Sequence, residues 1–575
     1  MYWLNENSRT FLAKGYLMEG VSAEERIRDI ARIAEAHLQK PGFADTFYDY
    51  MSRGFYSLAS PIWSNYGLSR GLPISCFSSY IADDMSRILY THAEVGMMTK
   101  YGGGTAGHFA GVRPRGSAIT GNGHSSGAVH FMGLFDNLIN IVSQGSVRRG
   151  HFAPYLPVEH PDIEEFLNIG TEGHPIQEST YAVTVTDAWL QEMKAGDQEK
   201  RSIWAKIIQR RTEIGYPYIL FSDTVNNNTV DVYKDKHMKI HGSNLCSEIC
   251  LPTSDDISFV CCLSSMNLRH YHEWKDTDAV ETLVMFLDTV LTDFIERLES
   301  LRDSSDPQKQ SAFYFMQRAY TFAKDHRALG LGVLGWHTFL QEHNIAFESE
   351  EASQLNREIF ELLHTKSYRA SQQLAADFGE PALLAGYGRR NSTLMAIAPT
   401  TSSAFILGQV SQSIEPIMSN AFVKDVDKMK VTIKNPTLEK VLEEKGMNTP
   451  EVWGKIRDND GSVQHIDGLT EHEKHVFRTF SEINQKAIID QAADRQKHID
   501  QSQSLNLMID PTLPAKELNA LYLYAWESGI KTLYYQHSMN AAQQFGRKKL
   551  LEMDQQKQTA QTSTKPANVC ISCEG

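Results

Sequence analysis

Residues 243 to 253 read SNLCSEICLPT and place an amide, a thiol and a carboxyl at alternating positions, Asn244, Cys246 and Glu248. Together such groups can carry hydrogen-atom and proton chemistry. In a helix, 244 and 248 would share a face and 246 would lie nearly opposite, whereas in an extended segment side chains at i, i+2 and i+4 project the same way. The spacing therefore predicts an extended segment that presents one polar trio, with Leu245, Ser247 and Ile249 facing the scaffold. A buried strand with a structural cysteine is the competing reading, because free cysteine is among the most buried residue types.

The other thiols bear on that choice. The chain has 7 cysteines, at 76, 246, 250, 261, 262, 570 and 573. An odd count spread thinly, without a secretory signal, argues for reduced thiols in a reducing compartment. Only Cys570 and Cys573 form a C-x-x-C, which does not make the four-ligand pattern of a structural zinc site. They close the segment EMDQQKQTAQTSTKPANVCISCEG, too polar to bury an apolar face. A flexible linker of about 24 residues spans roughly 25–30 Å, so a tethered dithiol could reach a cleft and exchange with a disulfide there.

Four further stretches could carry chemistry. IAPTTSSAFILG (397–408) sets Thr400, Thr401, Ser402 and Ser403 after a proline and before an apolar run, as at a helix N-terminus that holds a phosphate. An ordinary N-cap explains one of those hydroxyls but not four. YGGGTAGHFAGVRPRG and VSQGSVRRG combine glycines with Arg113, Arg115, Arg148 and Arg149, fit for loops that contact phosphate or base. KTLYYQH holds the adjacent Tyr534 and Tyr535, whose ordinary role in a strand is packing.

These groups need a large scaffold to position them, and 575 residues can bury one. Hydrophobic content of 41% and charged content of 22% fit a globular enzyme rather than a disordered chain. A net charge of −14 argues against a sequence-independent nucleic-acid surface. No basic n-region with an apolar core opens the chain and no run nears the ~18 apolar residues of a membrane helix, so a cytoplasmic protein is expected. SAEERIRDIARIAEAHLQ (22–39) opens with a capping box and carries Ile27, Ile30, Ile33 and Ala34 at helical spacing. HPDIEEFLNIG and PAKELNALYLYAWESG read as helices, ISFVCCLSSMNL and KTLYYQ as buried strands, and their alternation predicts an α/β barrel.

From about residue 45 onward these stretches, in this order, resemble the catalytic large subunit of class I ribonucleotide reductases. The resemblance implies a ten-stranded α/β barrel of two antiparallel five-stranded halves around a central finger loop. It implies a helical lead-in over 1–50, a barrel over 51–545 and a tail over 546–575. SNLCSEI resembles the finger loop, making Cys246 the thiyl radical, Glu248 the base at the ribose 3′-hydroxyl and Asn244 the group holding substrate hydroxyls. In PISCFSSYIADDM, Cys76 resembles one member of the reducing pair. In FVCCLSSMNL, Cys261 resembles the other, with Cys262 on the opposite face of the strand. Cys570 and Cys573 resemble the dithiol that re-reduces the pair. Cys250 has no assigned task.

By the same likeness Ser60, Ser75, Thr401, Ser402 and Ser403 contact substrate, while Asp83, Arg113, Gln144 and Arg148 belong to the specificity-effector site. Tyr534 and Tyr535 resemble a stacked pair that passes the radical inward. The implied partners are a radical-generating small subunit holding the metal, a thioredoxin or glutaredoxin-type reductant, ribonucleoside diphosphates, and a second copy in a homodimer. ATP, dATP, dGTP and dTTP would act as effectors, and no cofactor would reside on this chain. Only 75 residues precede Cys76, too few for an ATP-cone plus the helical lead-in, so that switch domain is expected to be absent. Alternative readings are an adenosylcobalamin-dependent reductase, which has no need of a tyrosine pair, a general disulfide oxidoreductase, and a non-catalytic nucleotide-binding regulator.

Overall fold

The computed structural model describes residues 1–144, 149–426 and 429–538, and over 423–426 and 429–432 the backbone alone. An N-terminal helical layer comes first. The expected capping box forms, the Ser22 side chain accepting from the Glu25 N–H and the Glu25 carboxylate accepting from the Ser22 N–H, and it starts the helix Ala23–Leu38. Ile27, Ile30 and Ala34 are buried, but Ile33 is only partly covered, because the buried stripe runs over Arg26 instead. The Arg26 guanidinium donates to the carbonyls of Trp63, Ile62 and Tyr66 at 2.9, 3.0 and 2.7 Å, satisfying the C-terminal end of the short helix Ser60–Asn65. The layer thus fixes the element that carries Ser60.

Nine strands form the main sheet among the described residues. They are β1 (Tyr56–Leu58), β2 (Cys76–Tyr80), β3 (Gly104–His108), β4 (Phe152–Pro157), β5 (Ala182–Val185), β6 (Tyr218–Phe221), β7 (Phe259–Asn267), β8 (Leu329–Leu334) and β9 (Thr532–Leu533). β2 through β6 run parallel in chain order, joined by helical crossovers such as Met85–Lys100 and Gln198–Ile214. β7 pairs antiparallel with β1 and β2 and parallel with β8, while β9 pairs antiparallel with β6. Every residue of β7 is buried, which explains its continuous rather than alternating pattern.

The expected ten strands are not all regular. Beyond β8, pairing continues through the single parallel bridges Leu331–Met395 and Ile397–Gln503, then through the short parallel pair Leu507–Ile509 and Gln536–Ser538. That last segment follows β9, so the sheet curls back toward β6. Two elements also differ from their sequence patterns. HPDIEEFLNIG yields only the one-turn helix Ile163–Phe166, and the KTLYYQ strand stops at Leu533 and resumes at Gln536, with both tyrosines between. A small satellite core around Leu438, Leu442, Trp453, Ile456 and Phe477 stands apart from the main one.

The antiparallel seam of β2 with β7 is fastened by a buried charge. Glu94, on the helix Met85–Lys100, accepts from the hydroxyls of Ser79 in β2 and Ser258 just before β7 at 2.8 and 3.0 Å. Arg318 pairs with the same carboxylate, its Nε at 3.1 Å from Oε1, and both side chains are buried. Glu94→Ala would leave the guanidinium charged and unpaired, which costs about 3–5 kcal/mol. Urea unfolding of the variant should show a loss of that order, and a midpoint equal to that of the parent would mean that the seam does not depend on this pair.

Candidate active site

The segment 243–250 is wholly buried and lies inside the curl of the sheet, but it is not extended. The Ser247 N–H donates to the Asn244 carbonyl at 3.4 Å, and Ser247 adopts a left-handed φ of +69°. Local side chains close the turn: the Ile249 N–H donates to Asn244 Oδ1 at 3.2 Å and Ser243 Oγ to the Ile249 carbonyl at 2.6 Å. The expected alternation along an extended segment is therefore incorrect, although the trio does come together. Asn244 Nδ2 donates to Glu248 Oε1 at 2.9 Å and reaches Cys76 Sγ at 3.3 Å. Ser504 Oγ lies 2.6 Å from the Cys246 carbonyl and 3.1 Å from Glu248 Oε2, and the Tyr155 hydroxyl donates to the Asn244 carbonyl at 2.7 Å.

Cys76 stands directly opposite Cys261 in the antiparallel ladder, so their side chains share one face of the sheet. Cys262 points away, toward the charges of Asp288 and Arg327, as strand alternation predicts. Burial pushes the Cys261 thiol well above its ordinary value, opposed by a hydrogen bond from Gln501 Nε2 at 3.5 Å. Burial also lifts Cys250 to about 12, against the pull of the Lys531 ammonium.

The Tyr534 hydroxyl donates to Cys246 Sγ at 3.4 Å. Tyr534 and Tyr535 have ring centroids 4.4 Å apart, but their planes are tilted by 58°, so they adjoin without the expected parallel stacking. A third ring that sequence reasoning missed adjoins both: Tyr218, at the start of β6, lies 4.7 Å from Tyr534 and 5.1 Å from Tyr535 between ring centroids. Its aromatic-Pro-aromatic context, Tyr216-Pro217-Tyr218, was the available signal. Burial and the neighbouring Tyr535 phenol push its pKa well above the ordinary tyrosine value. A cavity of about 20 Å³ opens between these rings, Thr180 and Leu245, enough for one water.

The hydroxyl cradle is at the start of the short helix Thr401–Ile406, which packs on β1 just before Ser60. Thr400 does not cap that helix; its Oγ1 accepts the Ser413 N–H at 2.7 Å. Thr401 Oγ1 donates to Gln412 Oε1 at 2.9 Å, and Ser402, Ser403, Ser60 and Ser75 are all buried. Ser75 leads into β2, with Cys76 Sγ 3.7 Å from its hydroxyl.

The residues expected at an effector site divide. Asp83 and Arg113 form a separate, partly exposed pair, Arg113 Nε donating to Asp83 Oδ2 at 2.8 Å. Gln144 is instead buried, its Nε2 donating to Asn65 Oδ1 at 2.9 Å on the helix that begins at Ser60. It fits because Gly71 and Gly102 lack side chains: a Cβ on either would come within 2.2 Å of the Gln144 amide. Arg148, Cys570 and Cys573 lie outside the described residues.

The carboxamide of Asn244 thus organises the site, and its removal is a direct test. In Asn244→Leu the Ile249 N–H and one Glu248 oxygen lose their partners, at about 1–3 kcal/mol for each buried group left unsatisfied. Urea denaturation should register the loss; unchanged stability would show that these bonds are replaced or unimportant.

Comparisons with known proteins agree with this geometry. The family model for the ribonucleotide reductase barrel domain matches residues 74–200, 192–383 and 382–536, and that for the all-alpha domain matches residues 2–71. The ribonucleoside-diphosphate reductase large subunit of Invertebrate iridescent virus 3 is 32% identical, covering 98% of this chain and 97% of its own. That of Danio rerio is 30% identical over 91% of this chain and 74% of its own. The solved class Id ribonucleotide reductase alpha subunit of Actinobacillus ureae superposes with a TM-score of 0.87 at 56% identity, covering 94% of this chain and 98% of that one. A buried thiol under a tyrosine, two further thiols facing each other across a seam, and matches along nearly the whole length lead to one family: the chain belongs to the large subunits of the ribonucleoside-diphosphate reductases.

Proposed function

We propose that Cys246 is the hydrogen-abstracting residue of this reductase and that Tyr535 and Tyr534 deliver the radical to it. The observation that carries this reading is the Tyr534 phenol donating to Cys246 Sγ at 3.4 Å, beside an Asn244 amide that bridges Glu248 and Cys76. The oxidising equivalent would come from a separate radical-generating small subunit. The Cys246 thiyl radical takes the ribose 3′-hydrogen, and Glu248 accepts the 3′-hydroxyl proton while the 2′-hydroxyl leaves as water. Cys76 and Cys261 supply two electrons and two protons as they close to a disulfide, and Cys246 returns the hydrogen to C3′. The net change is one ribonucleoside diphosphate and two thiols converted to one deoxyribonucleoside diphosphate, one disulfide and water. Holding all of these groups on one sugar is what the enclosed turn contributes.

The finer assignments follow the same reading. Ser60, Ser75, Thr401, Ser402 and Ser403 hold substrate, with the diphosphate over the cradle. Cys570 and Cys573 return electrons to the Cys76–Cys261 pair and are themselves reduced by a thioredoxin or glutaredoxin-type protein. Asp83 and Arg113, with Arg148, receive the nucleotide effectors, and the bond from Gln144 to Asn65 gives that region a path to the Ser60 helix. The domain division at 50 and 545, the homodimer and a cytoplasmic location belong to the same proposal. Among the described residues, no helix is long and apolar enough to cross a membrane. The 56% identical class Id neighbour supports a class I enzyme over one dependent on adenosylcobalamin.

The full chain should reduce CDP when given a radical-generating small subunit and a dithiol, and should be inactive alone or with adenosylcobalamin. Cys246→Ser, Tyr534→Phe and Tyr535→Phe should each bind nucleotide normally and turn over none; activity with cobalamin alone, or in any of these variants, would sink the assignment.

The reducing thiols separate by donor. One turnover of the Cys570→Ser/Cys573→Ser double variant without added reductant should leave a Cys76–Cys261 disulfide in the peptide map. Cys570→Ser and Cys573→Ser should then stop multiple turnovers driven by a protein dithiol while sparing those driven by a small dithiol. Equal failure with both donors would remove the shuttle role from the tail.

A further inference from the structure

A second line of hydrogen bonds runs from the hydroxyl cradle to the tyrosine pair through residues that the reaction just described does not use. The loop at 411–416 is fastened to the cradle at two points, Thr401 Oγ1 to Gln412 Oε1 at 2.9 Å and the Ser413 N–H to Thr400 Oγ1 at 2.7 Å. Within it the Glu415 N–H donates to the Gln412 carbonyl at 3.0 Å. The Glu415 carboxylate then accepts from Asn506 Nδ2 at 2.6 Å, and Asn506 Oδ1 accepts the N–H of Tyr535 at 3.1 Å. Asn506 lies between Leu505, whose carbonyl accepts the Tyr534 N–H at 2.9 Å, and Leu507, whose N–H donates to the Tyr535 carbonyl at 3.1 Å. The segment that aligns both tyrosine backbones is therefore tied by one amide and one carboxylate to the loop that closes the cradle. Burial raises the Glu415 carboxyl to about 7, opposed by the Asn506 bond. A partly buried carboxyl with a short amide donor is costly to keep without a purpose.

We propose that Glu415 and Asn506 are positioning residues that brace the Tyr535 backbone against the cradle loop, so that a nucleoside diphosphate seated there aligns the tyrosine pair with Cys246. The proposal rests on the reading of Tyr535 as the radical carrier. The physical basis is distance: hydrogen and electron transfer between phenol and thiol depends on contacts such as the 3.4 Å from Tyr534 to Cys246. A misplacement of about 1 Å at a reacting pair can cost on the order of 100-fold in rate. Because the brace touches backbone and neighbouring side chains, its loss should reduce turnover and leave nucleotide affinity in place.

The test compares the full chain with its Asn506→Ala, Glu415→Ala and Glu415→Gln variants, each assayed with the radical-generating subunit and CDP. The two alanine variants should lose kcat by about 10–100-fold. The dissociation constant for CDP should change less than about twofold, and the thermal midpoint should stay close to that of the parent. Glu415→Gln, which keeps an acceptor for the Asn506 amide, should recover most of the rate. If Asn506→Ala does not fold, Asn506→Gln, which shifts the same amide by one methylene, takes its place. A normal kcat in the Asn506 variant overturns the proposal, and so does a loss of rate, affinity and thermal midpoint together in Glu415→Gln, which is the pattern of a purely structural role. Tyr535→Phe is run alongside: if it turns over fully, the radical reading itself fails, whereas an inactive Tyr535→Phe beside a normal Asn506 variant removes only the brace.

Discussion

One planar group, the carboxamide of Asn244, holds carboxyl, thiol and turn in register. It offers two N–H donors and one acceptor. The donors serve Glu248 and Cys76, and the acceptor takes the Ile249 N–H that closes the turn. In a buried setting each of these bonds is expensive to leave unmade, so the amide cannot rotate away without cost. Cys246 is then carried on a loop whose shape is decided by its neighbour two residues before it.

A loop inside a sheet must find partners for its backbone, and this demand explains the polar interior around it. The Asn244 carbonyl is taken by Tyr155 of β4, the Cys246 carbonyl by Ser504, the Glu248 carbonyl by the Ser502 N–H at 2.9 Å, and the Cys250 N–H by Gln501 at 3.0 Å. The sequence DQSQSLN (500–506) would be a poor interior strand by composition, yet five of its members face or hold the active loop or the tyrosines. The seam of β2 with β7 has a matching purpose: it sets Cys76 against Cys261 in register, and Glu94 with Arg318 fastens that seam from outside.

Residue types were legible in the sequence and conformations less so. The trio at 244, 246 and 248 was identifiable, but its grouping was attributed to strand alternation, which a left-handed Ser247 overrides; no propensity marks a serine for that region. Alternation does separate Cys261 from Cys262, because β7 is a regular strand and sets Cys261 opposite Cys76. The capping box at Ser22 is local and was read directly, whereas HPDIEEFLNIG kept only one helical turn. Tyr155, Ser504, Glu415 and Asn506 were missed because each joins the site through folding alone, from segments hundreds of residues apart in some cases, with no motif of its own. The regularity of the sheet beyond β8 was likewise not readable, since single bridges replace a ladder there.

The burial of Cys261 also bears on which reagents its thiol can answer. A thiol is attacked or alkylated through its thiolate, and exchange with a stray disulfide needs that same ionised form. With its proton held tightly by desolvation, the reduced Cys261 offers almost none of it at neutral pH. Its hydrogen remains available to a radical, which removes proton and electron together and is indifferent to ionisation. The surroundings of Cys261 thereby separate two kinds of oxidant, leaving the thiol open to one-electron chemistry and closed to two-electron chemistry that needs the thiolate.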